Sequence, residues 1–179
     1  MEGLVNWFRD EEEIEDRRGG MFLVYYYHGS PYDMDVIEPK PSELLNNEKV
    51  VFATDKKWMA ILFAAQWDDK DFEVGSFDGE NWYLMEQREN AIMEKLLNKR
   101  GYVYAVVAEQ FVEDERVGMP GSEFICRKPV EVQFRWKYDS LYKALMQESE
   151  NVTLITWEQK RDFILDSMRR YRLRAPLTS

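Results

Sequence analysis

The sequence predicts an α+β fold for this chain of 179 residues. Short runs of β-branched and aromatic residues, which are typical of strands, occur beside longer segments whose apolar residues recur at helical spacing. No internal repeat and no low-complexity linker divides the sequence. We therefore predict one domain over residues 21–150, preceded by an acidic N-terminal tail over 1–20 and followed by a C-terminal helical extension over 151–179.

Six segments have the composition of strands. They are Met21–Tyr27, Val50–Ala53, Trp82–Glu86, Tyr102–Phe111, Glu123–Cys126 and Pro129–Trp136. In the last of these segments Val130, Val132, Phe134 and Trp136 alternate with other residues, so they are expected to share one face.

Two helices are predicted between these strands. Thr54 is a candidate N-cap for a helix that continues to about Trp67, because the apolar residues that follow it are spaced as in a helix. A second helix is predicted over Glu89–Arg100, with Gly101 as its C-terminal cap. The prolines within residues 31–49 predict a loop, and the polar residues 68–81 predict a surface insertion.

Two more helices are predicted near the C-terminus. Asp139 is a candidate cap for a short helix that contains Leu141 and Leu145. Thr156–Gln159 matches a capping box, in which the first and last side chains each bond the main chain of the other, and it predicts the start of a final helix. That helix has a basic end over residues 169–174.

The charge and the rare residues limit the function. A net charge of −10 argues against broad binding to a nucleic-acid backbone, which requires concentrated positive charge. The single cysteine, Cys126, and the single histidine, His28, exclude an internal disulfide and any cysteine-rich or histidine-rich metal site; no metal is expected, although a carboxylate site for Mg²⁺ or Ca²⁺ stays open.

The termini and the hydropathy pattern bear on location and partners. No apolar stretch has the length of a signal peptide core or a membrane span, so a cytoplasmic protein with no membrane partner is expected. The acidic run Asp10–Asp16 is interpreted as a solvated tail, and the alternative is an acidic arm that binds a partner. The basic C-terminal helix is likewise either a solvated surface or a docking element for an acidic partner, for nucleic acid or for the acidic N-terminus of the same chain.

His28 stands at the end of a predicted strand and is followed by Gly29 and Ser30. A glycine at this position lets a ligand approach the backbone without meeting a Cβ, which suits a binding cleft. The alternative is a structural histidine in the core or at the surface. Glu123, which follows a glycine-containing turn, can similarly be a site residue or an ordinary turn carboxylate, and Phe52 and Phe63 can be site or core residues.

Three segments, Tyr27–Ser30, Val51–Thr54 and Gly121–Ile125, resemble in their order and spacing the ADP-ribosyltransferase superfamily. They look most like its His-Tyr-Glu branch, which includes the poly(ADP-ribose) polymerases and the diphtheria-type toxins. The layout is also similar to small microbial and viral proteins with a YHGSP motif. The resemblance extends over about Met21–Trp136.

The resemblance implies an ADP-ribosyltransferase-like split β-sheet core with flanking helices and an extra C-terminal helix. It implies NAD as the cofactor and transfer of ADP-ribose to a macromolecular acceptor, with a protein expected and a nucleic acid not excluded. Glu123 would act on the nicotinamide ribose and His28 would donate to the adenine-side ribose, and both are catalytic candidates. The main chain of Gly29 would bind the nicotinamide amide, which a bulkier residue would obstruct.

The resemblance also implies that Ser30 adds a polar contact and that an aromatic ring stacks on nicotinamide. Phe52, Phe63 or a residue of Tyr25–Tyr27 would supply that ring. Where the branch has a tyrosine on its second strand, this chain has Val51-Phe52, which keeps a ring and lacks the phenolic hydroxyl.

Two other functions stay open. The first is a catalytically inactive fold of this type that acts as a binding or interaction module. The second is an NAD-dependent RNA 2′-phosphotransferase, which needs basic side chains and is disfavoured by the acidic composition. Triad hydrolases and P-loop ATPases are poor candidates, because the chain has neither a Gly-x-Ser-x-Gly elbow nor a Gly-x-x-x-x-Gly-Lys loop.

Overall fold

The computed structural model describes residues 23–119, 121–149 and 151–174, and all structural statements below refer to these residues. The strands are β1 (Tyr25–Ser30), β2 (Val36–Ile37), β3 (Lys40–Ser42), β4 (Glu48–Thr54), β5 (Phe72–Ser76), β6 (Trp82–Glu86), β7 (Gly101–Val107), β8 (Val112–Glu113), β9 (Glu123–Cys126), β10 (Val130–Glu131), β11 (Phe134–Tyr138) and β12 (Val152–Ile155). The helices are α1 (Lys57–Phe63), α2 (Ala91–Lys95), α3 (Leu141–Glu148) and α4 (Trp157–Arg174).

The fold is α+β, as predicted. The main sheet has the strand order β11-β7-β1-β4-β9-β8, with β3 added beside β4, and all of its pairs are antiparallel. A smaller sheet contains β5, β6 and β12, and β12 pairs with β6 in parallel. Strands β2 and β10 form a separate antiparallel pair.

Helix α1 packs on one face of the main sheet and forms the larger core. Its residues Trp58–Leu62 are all buried. The helix comes so close to β1 that a Cβ added at Gly29 would lie 1.7 Å from the carbonyl oxygen of Ala60. The other face of the sheet has its own core, which includes Val51, Tyr104 and Phe124.

The reason why position 29 requires glycine therefore differs from the one that the sequence suggested. The space that a side chain would fill is occupied by the backbone of α1, not left open for a ligand. The missing Cβ allows the helix and strand to pack in contact.

Three helices differ from their predicted bounds. Helix α1 ends at Phe63, and Gln66, with a positive φ of 53°, lies in the turn that follows it. Thr54 is not its N-cap, because Thr54 is the last residue of β4; its hydroxyl accepts a hydrogen bond from the amide of Lys56, which is the N-cap. Helix α3 is capped by Ser140 and not by Asp139.

Helix α2 is much shorter than the predicted span of residues 89–100. Asn90 before it and Asn98 after it both have positive φ angles, which regular helices exclude. Gly101 is the first residue of β7 and not a helix cap.

Several strands lie where loops were predicted. Strands β2 and β3 are within residues 31–49, and β5 is within residues 68–81. Pro41 is tolerated in β3 because that strand is short and pairs only with β4. The predicted strand over Pro129–Trp136 is in fact two strands, β10 and β11, so Val130 and Phe134 do not share a face: Val130 is buried and Phe134 is exposed.

The predicted capping box at the start of α4 is confirmed. The amide of Thr156 donates to the side-chain oxygen of Gln159, and the amide of Gln159 donates to the hydroxyl of Thr156. The predicted extension over 151–179 also contains β12, which ties the start of α4 to β6. The predicted acidic tail and the strand residues Met21 and Phe22 lie outside the described residues.

Buried Glu86 fixes two helices to the small sheet. One carboxylate oxygen accepts the amide of Ile92 in α2 at 2.8 Å, and the other accepts the amide of Trp157 in α4 at 2.7 Å. A carboxylate is suited to this role because both of its oxygens accept hydrogen bonds.

The substitution Gly29→Ala is expected to lower the free energy of unfolding by about 3 kcal/mol or more, because its Cβ would collide with the backbone of α1. Gly79→Ala is the control: a Cβ there meets no atom within 4 Å, although the φ of 95° is unfavourable, and its expected cost is about 1 kcal/mol. Urea unfolding of both variants measures the difference. Equal losses would contradict the proposed close packing.

The substitution Glu86→Gln is expected to lower the free energy of unfolding by about 1–3 kcal/mol, since an amide side chain has one acceptor oxygen and cannot serve both Ile92 and Trp157. Exposed Glu89 provides the matched control, Glu89→Gln, with an expected change below about 0.5 kcal/mol. Hydrogen exchange at the Trp157 and Ile92 amides shows which bond is lost. Unchanged exchange at both amides would show that Glu86 does not hold the helices.

Candidate functional site

The three segments of the resemblance lie on adjacent strands of the main sheet. Strand β4 lies between β1 and β9. Tyr27 of β1 is opposite Thr54 of β4, and Thr54 is in turn opposite Glu123 of β9. The fold thus brings together sequence segments that are separated by up to about a hundred residues.

Gly29, Phe52 and Glu123 are directed to the same face of the sheet, the one covered by α1. Residues opposite one another in an antiparallel pair share a face, and so do alternate residues along a strand. The Thr54 hydroxyl lies 3.5 Å from the sulfur of Met59 in α1, which identifies the face. Phe63 is the last residue of α1 and so belongs to the same side.

His28 and Ser30 belong to the opposite face. His28 is opposite Tyr104 of β7, and the two ring centroids are 6.3 Å apart. The buried Ser30 hydroxyl accepts a hydrogen bond from the amide of Tyr32. The structure therefore does not place the imidazole of His28 beside the carboxylate of Glu123.

The His28 imidazole bridges β1 and β4. Its Nδ1 lies 2.7 Å from the carbonyl oxygen of Phe52. A carbonyl can only accept, so Nδ1 is the donor and, in the neutral ring, Nε2 is an acceptor. Burial lowers the pKa of His28 below its ordinary value of 6.5, while the bond to Phe52 opposes the change. A neutral His28 would therefore accept from a ribose hydroxyl and not donate to it.

The pairing of β1 with β4 is confined to Tyr27 and Thr54, whereas β1 stays paired with β7 as far as Ser30. The carbonyl of Val24 accepts from Ala108 on the β7 side. In an antiparallel strand the main-chain groups of successive residues are directed alternately to the two sides. Val24 and Gly29 are an odd number of residues apart, so the amide and carbonyl of Gly29 are directed to the other side, toward β4. There the carbonyl of Phe52 accepts from His28.

Glu123 is buried and bonds its own turn. The amide of Met119 donates to its Oε2 at 2.8 Å, and the amide of Gly118 donates to the carboxylate as well. Burial raises the pKa of the Glu123 carboxyl above its ordinary value of 4.5, and the two amide bonds partly oppose that rise. Glu123 thus has a structural role: its carboxylate accepts hydrogen bonds from the turn that precedes β9.

The two candidate stacking residues are partly buried. Phe52 packs against Leu45, Val50, Val117 and Ile125. The ring of Phe63 is nearly parallel to that of Trp67, with an angle of 6° and centroids 6.5 Å apart. Trp67 was not recognised from the sequence as a site residue because it was placed inside the helix.

A second group missed in the sequence surrounds His28. Tyr32 is 60% exposed, and Nζ of Lys40 lies 5.9 Å from the centre of its ring. The rings of Tyr102 and Tyr104 are stacked nearby, and the phenolic oxygen of Tyr104 donates to the carbonyl of Tyr32. The position of Tyr32, two residues after Ser30, was the one available signal in the sequence.

Two clefts in the surface lie away from the predicted site residues. One, of about 450 Å³, is lined by Ala65, Gln66, Glu94, Lys95 and Lys99. The other, of about 370 Å³, lies between β5, β6 and α4. Among the described residues, no three His, Cys, Asp or Glu side chains are grouped so as to hold a metal ion.

Comparisons with known proteins give no indication of the function. No protein-family model, curated protein or solved structure matches the chain. Within the part of the chain that the structure describes, every helix is too short or too polar to cross a membrane.

The single histidine allows a direct test of the environment of His28. We expect the imidazole Hε1 signal to titrate with a pKa below 6.5, because burial disfavours the charged ring. The unfolded chain then binds a proton first as the pH falls, so stability is lost from about pH 6.5 down to the folded-state pKa.

The variant His28→Asn, whose amide nitrogen can still donate to the Phe52 carbonyl, should remove that pH dependence of unfolding. A pKa at or above 6.5 in the NMR titration, or an unchanged pH profile in the variant, would refute the partly buried, neutral imidazole.

Proposed function

We propose that this protein binds NAD and transfers ADP-ribose to a macromolecular acceptor, with release of nicotinamide, on an ADP-ribosyltransferase-like split sheet. The observation that supports the proposal most is the adjacency of β1, β4 and β9, with Gly29, Phe52 and Glu123 directed to one face. The resemblance in sequence assigns NAD-binding roles to these same residues.

The nicotinamide end of NAD would bind where β1 and β4 separate, beyond their pairing at Tyr27 and Thr54. The main chain of Gly29 is directed there and offers the donor and acceptor that an amide group requires. Because α1 covers the Cα of Gly29, the ligand would approach along the strand edge and not through the missing Cβ. Phe52 or Phe63 would supply the ring that stacks on nicotinamide.

Glu123 would stabilise the positive charge that develops on the ribose. As the bond between nicotinamide and ribose breaks, its electron pair leaves with nicotinamide, and a nearby carboxylate lowers the energy of the cationic ribose. A carboxylate has about four acceptor positions, so Glu123 can keep its bond to Met119 while it accepts a ribose hydroxyl. The acceptor group then bonds the ribose carbon and releases its proton.

The adenosine end would lie near His28. Nε2 of the neutral ring would accept a ribose hydroxyl, the ring of exposed Tyr32 would contact the adenine, and Lys40 would bring positive charge to the phosphates. A protein is the proposed acceptor, because a net charge of −10 repels nucleic-acid phosphates.

A catalytically inactive binding module is the second candidate. Two observations favour it: Glu123 already bonds its own turn, and position 52 has no phenolic hydroxyl. Nucleotide binding without turnover would be its signature.

The variant Glu123→Gln is expected to lower nicotinamide release from NAD by about 100-fold or more, since it removes the charge that stabilises the cationic ribose. It should leave the fold intact, because the amide oxygen can still accept from Met119. Single-turnover assays by mass spectrometry measure the release. Glu113→Gln, an exposed carboxylate on the neighbouring strand β8, is the matched control.

The outcomes distinguish the candidates. NAD binding without nicotinamide release by the wild-type chain would establish the inactive module instead. Failure to bind NAD at all would refute the transferase and an NAD-binding module, and would leave only a module that binds another partner. Processing of a 2′-phosphorylated oligonucleotide would support the RNA 2′-phosphotransferase.

A further inference from the structure

A groove beside the small sheet has the chemistry of a docking site. It lies between the β5–β6 hairpin and α4 and has a volume of about 370 Å³. Three rings form its wall: the centroids of Phe77, Tyr83 and Phe163 are between 5.2 and 5.9 Å apart. Met85 and Ile164 complete the apolar lining.

This groove is not covered by the rest of the described chain. Phe77, which lines it, is 52% exposed, and the rings of Tyr83 and Phe163 lie beside it. Large apolar side chains grouped at a surface in this way mark interaction sites in soluble proteins.

Helix α4 carries most of the basic side chains near the groove. One basic and one acidic side chain, Lys160 and Glu73, line the groove itself, and Arg161 and Arg169 are exposed elsewhere on the helix. The sequence Trp157–Arg174 contains six basic and three acidic residues, in a chain whose net charge is −10. An occupant should therefore combine aromatic side chains with negative charge.

We propose that the occupant is the N-terminal segment of the same chain, residues 1–22. Its sequence has the aromatic pair Trp7-Phe8, followed after Arg9 by the acidic run Asp10–Asp16. The segment contains seven acidic and three basic residues, opposite in sign to the helix. Trp7 and Phe8 would enter the aromatic groove, and the acidic run would lie along the basic side chains of α4.

The segment is long enough to reach the groove. Twenty-two extended residues span about 70 Å. A domain of this size is roughly 40 Å across. The segment joins the described chain at Leu23, just before β1, so the reach suffices wherever on the domain the groove lies. This interaction does not depend on the proposed ADP-ribosyltransferase function.

The test uses the full chain with the photoreactive substitution Trp7→p-benzoylphenylalanine. After irradiation, mass spectrometry is expected to find cross-links within one molecule, in the peptides of residues 73–87 and 157–169. A mixture of isotopically heavy and light protein distinguishes these from cross-links between copies.

Charge variants test the specificity. Lys160→Glu with Arg161→Glu is expected to lower the cross-link yield about fivefold, since each reversal replaces an attraction by a repulsion. The control, Arg100→Glu with Lys137→Glu, changes the net charge equally at exposed positions outside α4 and should leave the yield unchanged. Circular dichroism verifies that both variants are folded.

Four results would overturn the proposal. They are the absence of cross-links, cross-links to other parts of the domain, cross-links only between copies, and an equal loss of yield in the control variant. The third result would mean that a second copy of the chain occupies the groove.

Discussion

The contact between α1 and β1 at Gly29 is the constraint on which most of the structure depends. Because there is no side chain at this position, the backbone of α1 at Ala60 contacts the strand. This close approach places the other buried residues of α1 in the core. The same contact sets Met59 against Thr54 and fixes which face of the sheet Glu123 shares with the helix. Core packing and the candidate site are therefore parts of one arrangement.

The site residues divide between the two faces of one sheet, and the sheet itself joins them. His28 bonds the carbonyl of Phe52, while the Phe52 side chain is directed to the face that Glu123 shares. The proposed ligand would therefore have to contact both faces near the place where β1 and β4 cease to pair.

The sequence was informative where strands are dense in β-branched and aromatic residues, so β6 and β9 have the predicted bounds. It failed for β2 and β12, because these short strands pair with partners that are distant in sequence. It failed for β3 and β5 although they form local hairpins, because a proline in β3 and polar residues and a glycine in β5 are untypical of strands. Helix α2 was overestimated because left-handed asparagines interrupt a periodic pattern. The residue types at the site were visible in the motifs, but the register of three strands, which decides their faces, was not.

The parallel pairing of β12 with β6 has a consequence for biosynthesis. The β5–β6 hairpin is complete once residue 86 has been made, but one edge of β6 stays unpaired until residue 155 has left the ribosome. Until then the nascent chain presents a strand edge flanked by aromatic residues, which is a template for unwanted association. Strand β12 therefore protects a sheet edge that forms much earlier, and a message truncated before β12 would yield an aggregation-prone product.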